Sequence, residues 1–294
     1  MECRSAPLAT VVVAVRGNVD ALDGLLASLA EHRPVGGIEV VVADNHAVRT
    51  IATPTTGTWP FPVRVAHVPT RGLSRARNVG IRLALGEMIA VTDPDARPRA
   101  GWLAELADAL ATTGAWCAGG RVVPRFVGTP GPLSPEVAQM FVPPSWPRTV
   151  TALRPPWWLV GCNMAFRRDP RPRFCTHLGA GAPARGPGRM SCEDLEITIR
   201  AAAEDLGVVV APDAVVDRAI HADDVRLAAL ARRAYGHGTS IARLRALHPN
   251  APIYDSYRLG DAVRMVRAGL RPALVGLSRV AGYRLARAGQ GGRA

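Results

Sequence analysis

The sequence predicts an α/β protein whose mostly parallel sheet is flanked by helices, and three observations support this prediction. Short runs rich in Val and Ile recur between residues 8 and 92. Longer runs between them carry apolar residues at helical spacing, as at Leu22, Leu25, Leu26 and Leu29. Gly, Pro or Asp-Asn follows the apolar runs and ends them. Strands that alternate with helices in this way form parallel sheets covered by helices.

The elements follow from these runs in chain order. Strands are predicted at 8–15, 38–43, 63–68 and 88–92, and helices at 19–31, 74–85 and 101–112. In such sheets ligands bind beyond the carboxyl ends of the strands. Those ends carry Arg16, Asp44 and Asp93, so these three side chains are candidates for a ligand site.

The pattern changes after residue 117. Repeated prolines between residues 124 and 156 exclude a long helix there. Residues 171–191 are rich in Gly, Pro and Arg with few apolar anchors, and we expect a mobile loop. A helix at about 193–206, a strand at 208–211 and a helical stretch from His221 to about 247 follow. We expect a main domain at residues 1–225 and a C-terminal helical extension at 226–294.

The charge is strongly positive and is carried by arginine alone. The formal net charge is +12, and the sequence contains no Lys. This excludes Schiff-base chemistry on lysine and the lysine of P-loop enzymes. Arg binds phosphate well because its planar fork matches two oxygens, so an anionic partner such as a nucleotide or anionic lipid is expected.

Cysteine usage and hydropathy set the expected compartment. The 5 cysteines are scattered without a CxxC pair, which argues against structural zinc and a disulfide framework. The first residues make a poor secretory signal, and no apolar run approaches the roughly 18 residues that span a bilayer. A cytoplasmic protein is the expectation.

The sharpest candidate site is Asp93-Pro94-Asp95, directly after the strand at 88–92. Two carboxylates at the exposed end of a strand can turn toward one hard cation. Mg²⁺ or Mn²⁺ held by one or two carboxylates takes its other ligands from water and substrate phosphates. The alternative is a solvated turn, since Asp and Pro favour turns.

Four further features of the sequence each allow a chemical and a structural interpretation. Asp44 either accepts a hydrogen bond from a nucleoside or forms an Asx turn. Arg77 lies in a helical first turn that Ser74 is expected to cap, where a cation opposes the helix dipole unless it meets an anion. Glu193 or Asp194 either deprotonates a hydroxyl nucleophile or stabilises a helix N-terminus. His221 either completes a divalent-ion site or is a structural histidine.

Taken together, these segments resemble the inverting glycosyltransferases of family 2, which have the GT-A fold. The segments that carry the resemblance lie in the family's order between residues 10 and 225. They are TVVVAVRGN, IEVVVADN, RGLSRARNVGI, GEMIAVTDPDARPRAGWLAEL, CAGGRVVP, VGCNMAFRR, CEDLEITIRAAAEDLGVVVAPDAVV and IHADD.

The resemblance implies a role for each matching residue. Asp44 would hold the base, Ala14 and Arg16 would line the nucleotide pocket, and Arg77 would lie near the nucleotide and the Asp-x-Asp motif. Asp93 and Asp95 would bind the metal and ribose, and His221 would complete the metal site. Asp194, next to Glu193, matches the catalytic base, and Asn163 would lie near the sugar and acceptor. The chain departs from the family at Arg16-Gly17, at Pro94 and at Cys175-Thr176-His177, which affects sugar and acceptor details.

The implied reaction is transfer of a sugar from a nucleotide sugar, with UDP as the expected nucleotide, to an acceptor hydroxyl. Asp194 acts as the general base, Mn²⁺ or Mg²⁺ is the cofactor, and the anomeric configuration inverts. Two other functions stay open from the residues alone: a sugar nucleotidyltransferase and a non-catalytic, glycosyltransferase-like binding subunit. Nucleic-acid binding is disfavoured because aromatic residues are 5% and no known module occurs.

The C-terminal segment 259–288 spaces apolar residues against arginines and is interrupted by Pro272. A basic amphipathic helix of this kind can lie on an anionic membrane. Packing on its own domain is the alternative. Peripheral membrane contact through residues 259–288 is therefore a hypothesis of the sequence.

Overall fold

The structure is a computed structural model of the chain. It describes residues 8–17, 19–32, 36–51, 59–128, 135–138, 140–143, 145–153, 158–183, 188–253 and 270–291.

The first half of the chain confirms the predicted alternation. The elements are β1 (Ala9–Val15), α1 (Val19–Glu31), β2 (Ile38–Asp44), β3 (Val63–His67), α2 (Leu73–Leu83), β4 (Met88–Thr92), β5 (Ala96–Pro98) and α3 (Trp102–Thr113). β3, β2, β1 and β4 pair in parallel in that order. The carboxyl ends of β2, β1 and β4 therefore meet at one edge of the sheet.

The second half adds strands that the sequence did not predict. The elements are β6 (Cys117–Val127), α4 (Pro135–Ala138), β7 (Thr151–Ala152), β8 (Met164–Arg167), α5 (Glu193–Ala203), β9 (Val208–His221), a 3₁₀ helix (Ala222–Val225), α6 (Leu227–Leu247) and α7 (Leu270–Gly291). β8 joins the sheet antiparallel between β4 and β6, β9 pairs parallel with β6, and β5 forms the far edge. The mostly parallel α/β fold is thus confirmed.

In this region the sequence did not predict one strand and predicted another too short. Residues 117–127 form a strand despite Pro124, because β8 pairs only with Cys117, Ala118 and Gly119. Around Pro124 one edge of β6 has no partner strand among the described residues. The N–H that proline lacks therefore costs no hydrogen bond of the sheet there. The strand at 208–211 extends to His221 because it continues to pair with β6 beyond a register shift.

We expected the loop at 171–191 to be mobile because it has few apolar residues, but three of these anchor its described part. Phe174, Leu178 and Met190 are all buried. The side chain of Asn78 bonds both N–H and C=O of Phe174, and Ser74 Oγ donates to Leu178 O. These contacts fasten the described part of the loop to α2.

Two apolar layers cover the sheet and position the site. α1 and α3 pack on one face through residues such as Leu25 and Leu106. α2 and α5 pack on the other face, where Ile81 and Ile197 share one cluster. The polar ends of α2 and α5 are therefore neighbours.

The C-terminal helices pack on each other and on the rest of the chain. α6 and α7 approach closely at Gly238 and Gly282, where a Cβ atom on either glycine would collide with the backbone of the facing helix. Tyr283 of α7 shares a hydrophobic cluster with Leu178 and Cys192. A domain boundary after residue 225 stays a prediction.

The hypothesis of membrane contact falls partly outside the described residues, since these omit 254–269. In α7, Val275, Val280 and Tyr283 are buried, as expected for packing on the domain. Among the residues described, no helix is long and apolar enough to cross a membrane.

Candidate active site

The sheet edge formed by β2, β1 and β4 holds the residues expected to bind the nucleotide. Asp44 ends β2 and lies in register with Val15 of β1. Ala14 is half-buried and Arg16 is exposed just beyond β1. Asp93 follows the last residue of β4, which pairs with β1. The topology therefore brings these four positions to one edge.

Asp44 already has partners within the chain. Its Oδ2 accepts from the backbone N–H groups of Thr50 at 2.6 Å and Ile51 at 3.1 Å, and its Oδ1 accepts from Thr50 Oγ1 at 2.8 Å. Although burial opposes ionisation, these hydrogen bonds lower the pKa of Asp44. Asp44 is fully buried, and these hydrogen bonds make it an ionised anchor of the loop after β2.

Arg77 is a buried hub at the centre of the site. Its side chain is 1% exposed. One terminal nitrogen donates to Glu193 Oε1 at 3.1 Å, and the other donates to Asp93 Oδ1 at 3.0 Å and Gly161 O at 2.9 Å. The guanidinium also lies 5.2 Å from the Phe174 ring centroid. A planar fork can serve three acceptors in this way, whereas a lysine ammonium could not match the geometry.

The local structure of α2 explains why Arg77 is buried. The helix begins at Leu73 after Gly72, whose φ of 148° is accessible only to glycine. Ser74 does not cap the helix, contrary to expectation, because its hydroxyl bonds Leu178 O instead. Arg77 thus faces the sheet edge, and Asp93 and Glu193 satisfy its charge.

Asp93 and Asp95 lie in different electrostatic environments. Burial opposes ionisation of Asp93, but the positive charges of Arg77, Arg218 and Arg189 lower its pKa. Burial and the negative charge of Asp93 instead raise the pKa of Asp95. Arg218 lies 3.6 Å from Asp93 Oδ2 and 4.0 Å from Asp95 Oδ2. The second carboxylate is therefore incompletely neutralised.

The N-terminus of α5 supplies the second acidic pair. Burial and the neighbouring Asp194 raise the pKa of Glu193 to about 7, although Arg77 opposes this. Burial also raises the pKa of Asp194. Asp194 Oδ2 accepts from Gly161 N–H at 3.0 Å and its Oδ1 from Leu195 N–H at 2.9 Å. Gly161 therefore links Asp194 and Arg77 through its two backbone groups.

These groups open into one cavity of about 1080 Å³. Its wall includes Arg77, Asp93, Glu193 and Asp194, four residues named from the sequence. Most of the rest of the wall comes from described residues between 140 and 162 before β8, from residues 180 and 189–192 after it, from α5, from Arg218 of β9, from α6 with residues 248–253, and from α7. A space of this size accommodates a nucleotide sugar or a comparable ligand.

Asn163 does not belong to that wall, contrary to expectation. It is fully buried, and its amide donates to Arg121 O at 3.0 Å and Ala214 O at 2.8 Å. Its Oδ1 accepts from Trp102 Nε1 at 2.7 Å. Because every strong hydrogen-bonding direction is used within the core, the structure makes Asn163 a framework residue.

His221 is not brought together with the aspartates into a metal site. It is exposed at the end of β9, where its backbone N–H donates to Asp224 Oδ2 at 3.0 Å. In the described ranges no three His, Cys, Asp or Glu side chains lie close enough to hold an ion. The three-residue site of Asp93, Asp95 and His221 is therefore not preformed.

The two aspartates by themselves fit a divalent cation. Their oxygens are the ligands that Mg²⁺ and Mn²⁺ prefer, and two carboxylates suffice when substrate phosphates and water complete the shell. Burial and the negative charge of Asp93 raise the pKa of Asp95, and a cation bound by the two carboxylates would lower it.

Sequence reasoning missed four arginines of this cavity wall, one of which is Arg279 of α7. Arg218, Arg189 and Arg233 all line the cavity. Arg218 carried a usable signal, since it interrupts the apolar run of β9. Arg189 and Arg233 carried none, because one lies in a Gly-rich stretch and the other in an Arg-rich helix.

The comparison with known proteins agrees with this arrangement. The family model described as Glycosyl transferase family 2 matches residues 10–170. The chain belongs to glycosyl transferase family 2. Two curated relatives, the pre-mycofactocin glycosyltransferases of two Mycobacterium tuberculosis strains, are 32% identical over 98 residues. That stretch is 33% of this chain and 20% of each relative, so the chain matches about a fifth of their length.

Solved structures of glycosyltransferases share the GT-A fold of this family 2 member. The mannosyltransferase PcManGT of Pyrobaculum calidifontis, in complex with GDP-Man and Mn²⁺, has a TM-score of 0.57 at 20% identity, over 99% of this chain and 77% of that one. Staphylococcus aureus TarS 1–349 with UDP has a TM-score of 0.53 at 16% identity, over 97% and 92%. GalNAc-T7 with UDP, GalNAc and Mn²⁺ has a TM-score of 0.58 at 13% identity, over 95% and 55%.

Proposed function

We propose that this protein transfers a sugar from a nucleotide sugar to an acceptor hydroxyl, with inversion at the anomeric carbon and Asp194 as the general base. One observation carries the proposal: Asp93 and Asp194, far apart in the chain, line the same cavity and are joined through Arg77 and Gly161. A single displacement requires a carboxylate that binds the donor and a base that activates the acceptor, both facing the same cavity.

The nucleotide would lie along the edge formed by β1, β2 and β4. Asp44 would hold the base through the loop after β2, which it anchors, and Ala14 and Arg16 lie beside it. The structures of PcManGT and TarS contain GDP-Man and UDP, respectively, which supports a nucleotide-sugar donor. UDP is our first choice, and GDP is the alternative to be compared with it.

Asp93 and Asp95 would hold Mn²⁺ or Mg²⁺ against the diphosphate. When bound, the cation supplies positive charge that stabilises the leaving diphosphate. Arg218, which pairs with both aspartates, adds a permanent positive charge at the same end of the cavity. Preorganised charges of this kind act where negative charge develops during the reaction.

Asp194 would accept the proton of the attacking hydroxyl. Its two backbone hydrogen bonds fix the plane of the carboxylate and leave further acceptor sites for the acceptor hydroxyl. Its raised pKa strengthens it as a base. Glu193 is held by Arg77 instead, so we assign it the role of orienting Arg77.

The proposal is tested with Asp194→Asn and Glu193→Gln, each assayed for donor binding and for donor turnover. UDP- and GDP-sugars are titrated with Mn²⁺ by calorimetry, and slow hydrolysis of the donor is followed because it needs no acceptor. Asp194→Asn should lower turnover by about 10²-fold or more while donor affinity changes less than about threefold. Normal turnover by Asp194→Asn would remove Asp194 from the mechanism.

A further inference from the structure

The cavity wall also includes two arginines, Arg233 of α6 and Arg279 of α7, that are not part of the proposed donor site. Arg233 of α6 donates from Nε to Met140 O at 3.2 Å, and its guanidinium lies 4.5 Å from the Phe141 ring centroid. Within the described part of the chain its terminal nitrogens have no carboxylate partner. The side chain is thus held by its Nε hydrogen bond and its ring contact, and its terminal nitrogens form no ion pair within the described residues.

The charges nearest to Arg233 are mostly of its own sign. Burial, together with the positive charges of Arg218 and Arg189, lowers the pKa of Arg233 to about 10, against weaker opposing effects of Asp224 and Asp194. A cation held among cations in a half-buried place costs free energy unless an anion joins it. Among the described residues Asp224 and Asp194 act on Arg233, but no carboxylate forms an ion pair with it.

Arg279 of α7 extends the same positive region. Its Nε is buried without a hydrogen-bond partner in the described residues. Burial lowers the pKa of His237 to about 3, and the positive charges of Arg279 and Arg233 add to this effect. His237 is therefore neutral and adds no positive charge to the two arginines that line the cavity beside it.

Arg233 lies within reach of charges at the donor end, Arg218 and Arg189, and also of Asp194. Arg77 and Arg218 pair with Asp93, where the diphosphate is proposed to lie. Arg233 and Arg279 come from α6 and α7 and line the cavity on the side of Asp194 and Cys192. Asp194 marks the place where an acceptor hydroxyl enters, so these arginines flank the acceptor.

The surrounding wall is largely apolar. Met140, Phe141, Leu153, Trp158 and Val160 line it. Apolar walls with a few fixed polar groups favour an apolar ligand that carries a matching polar group.

We propose that Arg233, together with Arg279, binds a carboxylate or phosphate group of an otherwise apolar hydroxyl acceptor. This inference rests on the proposed function, which places the acceptor beside Asp194. Arg is suited to the task because its fork binds both kinds of anion through paired hydrogen bonds.

Binding of simple probes tests the acceptor subsite without catalysis. Octyl phosphate, octanoate and 1-octanol are titrated into the full-length protein, with and without UDP or GDP plus Mn²⁺, by calorimetry. Both anions should bind at least about tenfold more tightly than 1-octanol, since a hydrogen bond to a charged group adds that much. Failure of both anions to bind the wild type would overturn the proposal.

Two variants locate the anion. Arg233→Gln should weaken binding of both anions by about ten- to a hundredfold and leave 1-octanol and nucleotide affinity within about twofold. The matched control is Arg232→Gln, which removes the same charge from an exposed neighbour on α6 and should change nothing. An equal loss for 1-octanol would mean that Arg233 acts only by packing.

A loss of nucleotide affinity in Arg233→Gln would assign Arg233 to the donor diphosphate and refute the acceptor subsite. That result would leave the proposed sugar transfer standing. Conversely, anion binding that depends on Arg233 in a protein without donor turnover would refute the proposed function and retain the anion site. The two failures are therefore distinguishable.

Discussion

Replacing Arg77 by Met should destabilise the fold by about 3–5 kcal/mol, the usual cost of removing one partner from a buried ion pair. The change leaves Glu193 and Asp93 without their shared cation and Gly161 O without a donor. Because Arg77 is 1% exposed, solvent cannot compensate. Such a loss is a large part of the roughly 5–15 kcal/mol that stabilises a typical domain.

Urea unfolding, followed by tryptophan fluorescence and circular dichroism, measures this loss. The control is Arg75→Met, an exposed arginine on the same helix, which should change the free energy of unfolding by less than about 0.5 kcal/mol. The double variant Arg77→Met with Glu193→Gln should be more stable than the sum of the two single effects, because the buried carboxyl that loses its cationic partner in Arg77→Met is already absent. Equal stability of Arg77→Met and Arg75→Met would refute the role of Arg77 as the buried hub.

Three further predictions concern the pH dependence of stability, the metal site at Asp95 and the buried residue Asn163. The pKa of Glu193 is raised from 4.5 to about 7 in the folded state, so the stability it contributes is present below about pH 4.5 and is lost as the pH rises to about 7. The unfolding free energy of the wild type minus that of Glu193→Gln should therefore fall across this range, and a rise would contradict the assignment. Asp95→Asn should weaken Mn²⁺-dependent donor binding about tenfold or more in calorimetry while binding of the nucleotide without metal changes little, and equal losses in both would argue against a cation there. Asn163→Ala should cost about 3 kcal/mol or more in urea unfolding, since it leaves Trp102 Nε1 and two carbonyls unpaired, with donor affinity of the folded protein unchanged.

The fold could be predicted where local pattern and tertiary position agree. β1, β2 and β4 are buried on both faces, so each appears in the sequence as a continuous apolar run. β6 and the extension of β9 could not be predicted, because they contain Pro124 and Asp213 and depend on each other for pairing. Long-range pairing of this kind leaves no periodic signal in either segment.

The candidate site was likewise predicted only where the sequence carries a local signal. Asp93 and the pair of Glu193 and Asp194 were candidates because an acid after an apolar strand, or at a helix start after a loop, is a local feature, and the choice of Asp194 came from the resemblance to family 2. The environment of Asn163 depends on Trp102 of α3, which the sequence does not place beside it, so its structural role was missed. The unpaired charge of Arg233 is likewise visible only when α6 is packed against Phe141.

The central claim, that Asp194 activates a nucleophile for a single displacement, is tested most directly by the stereochemistry of the product. An α-linked UDP- or GDP-sugar that the protein hydrolyses in the presence of Mn²⁺ is followed by proton NMR during the first minutes, before the released sugar mutarotates. Water in place of the acceptor should give the β anomer first, with the signal absent in Asp194→Asn. Initial release of the α anomer would contradict the proposed mechanism.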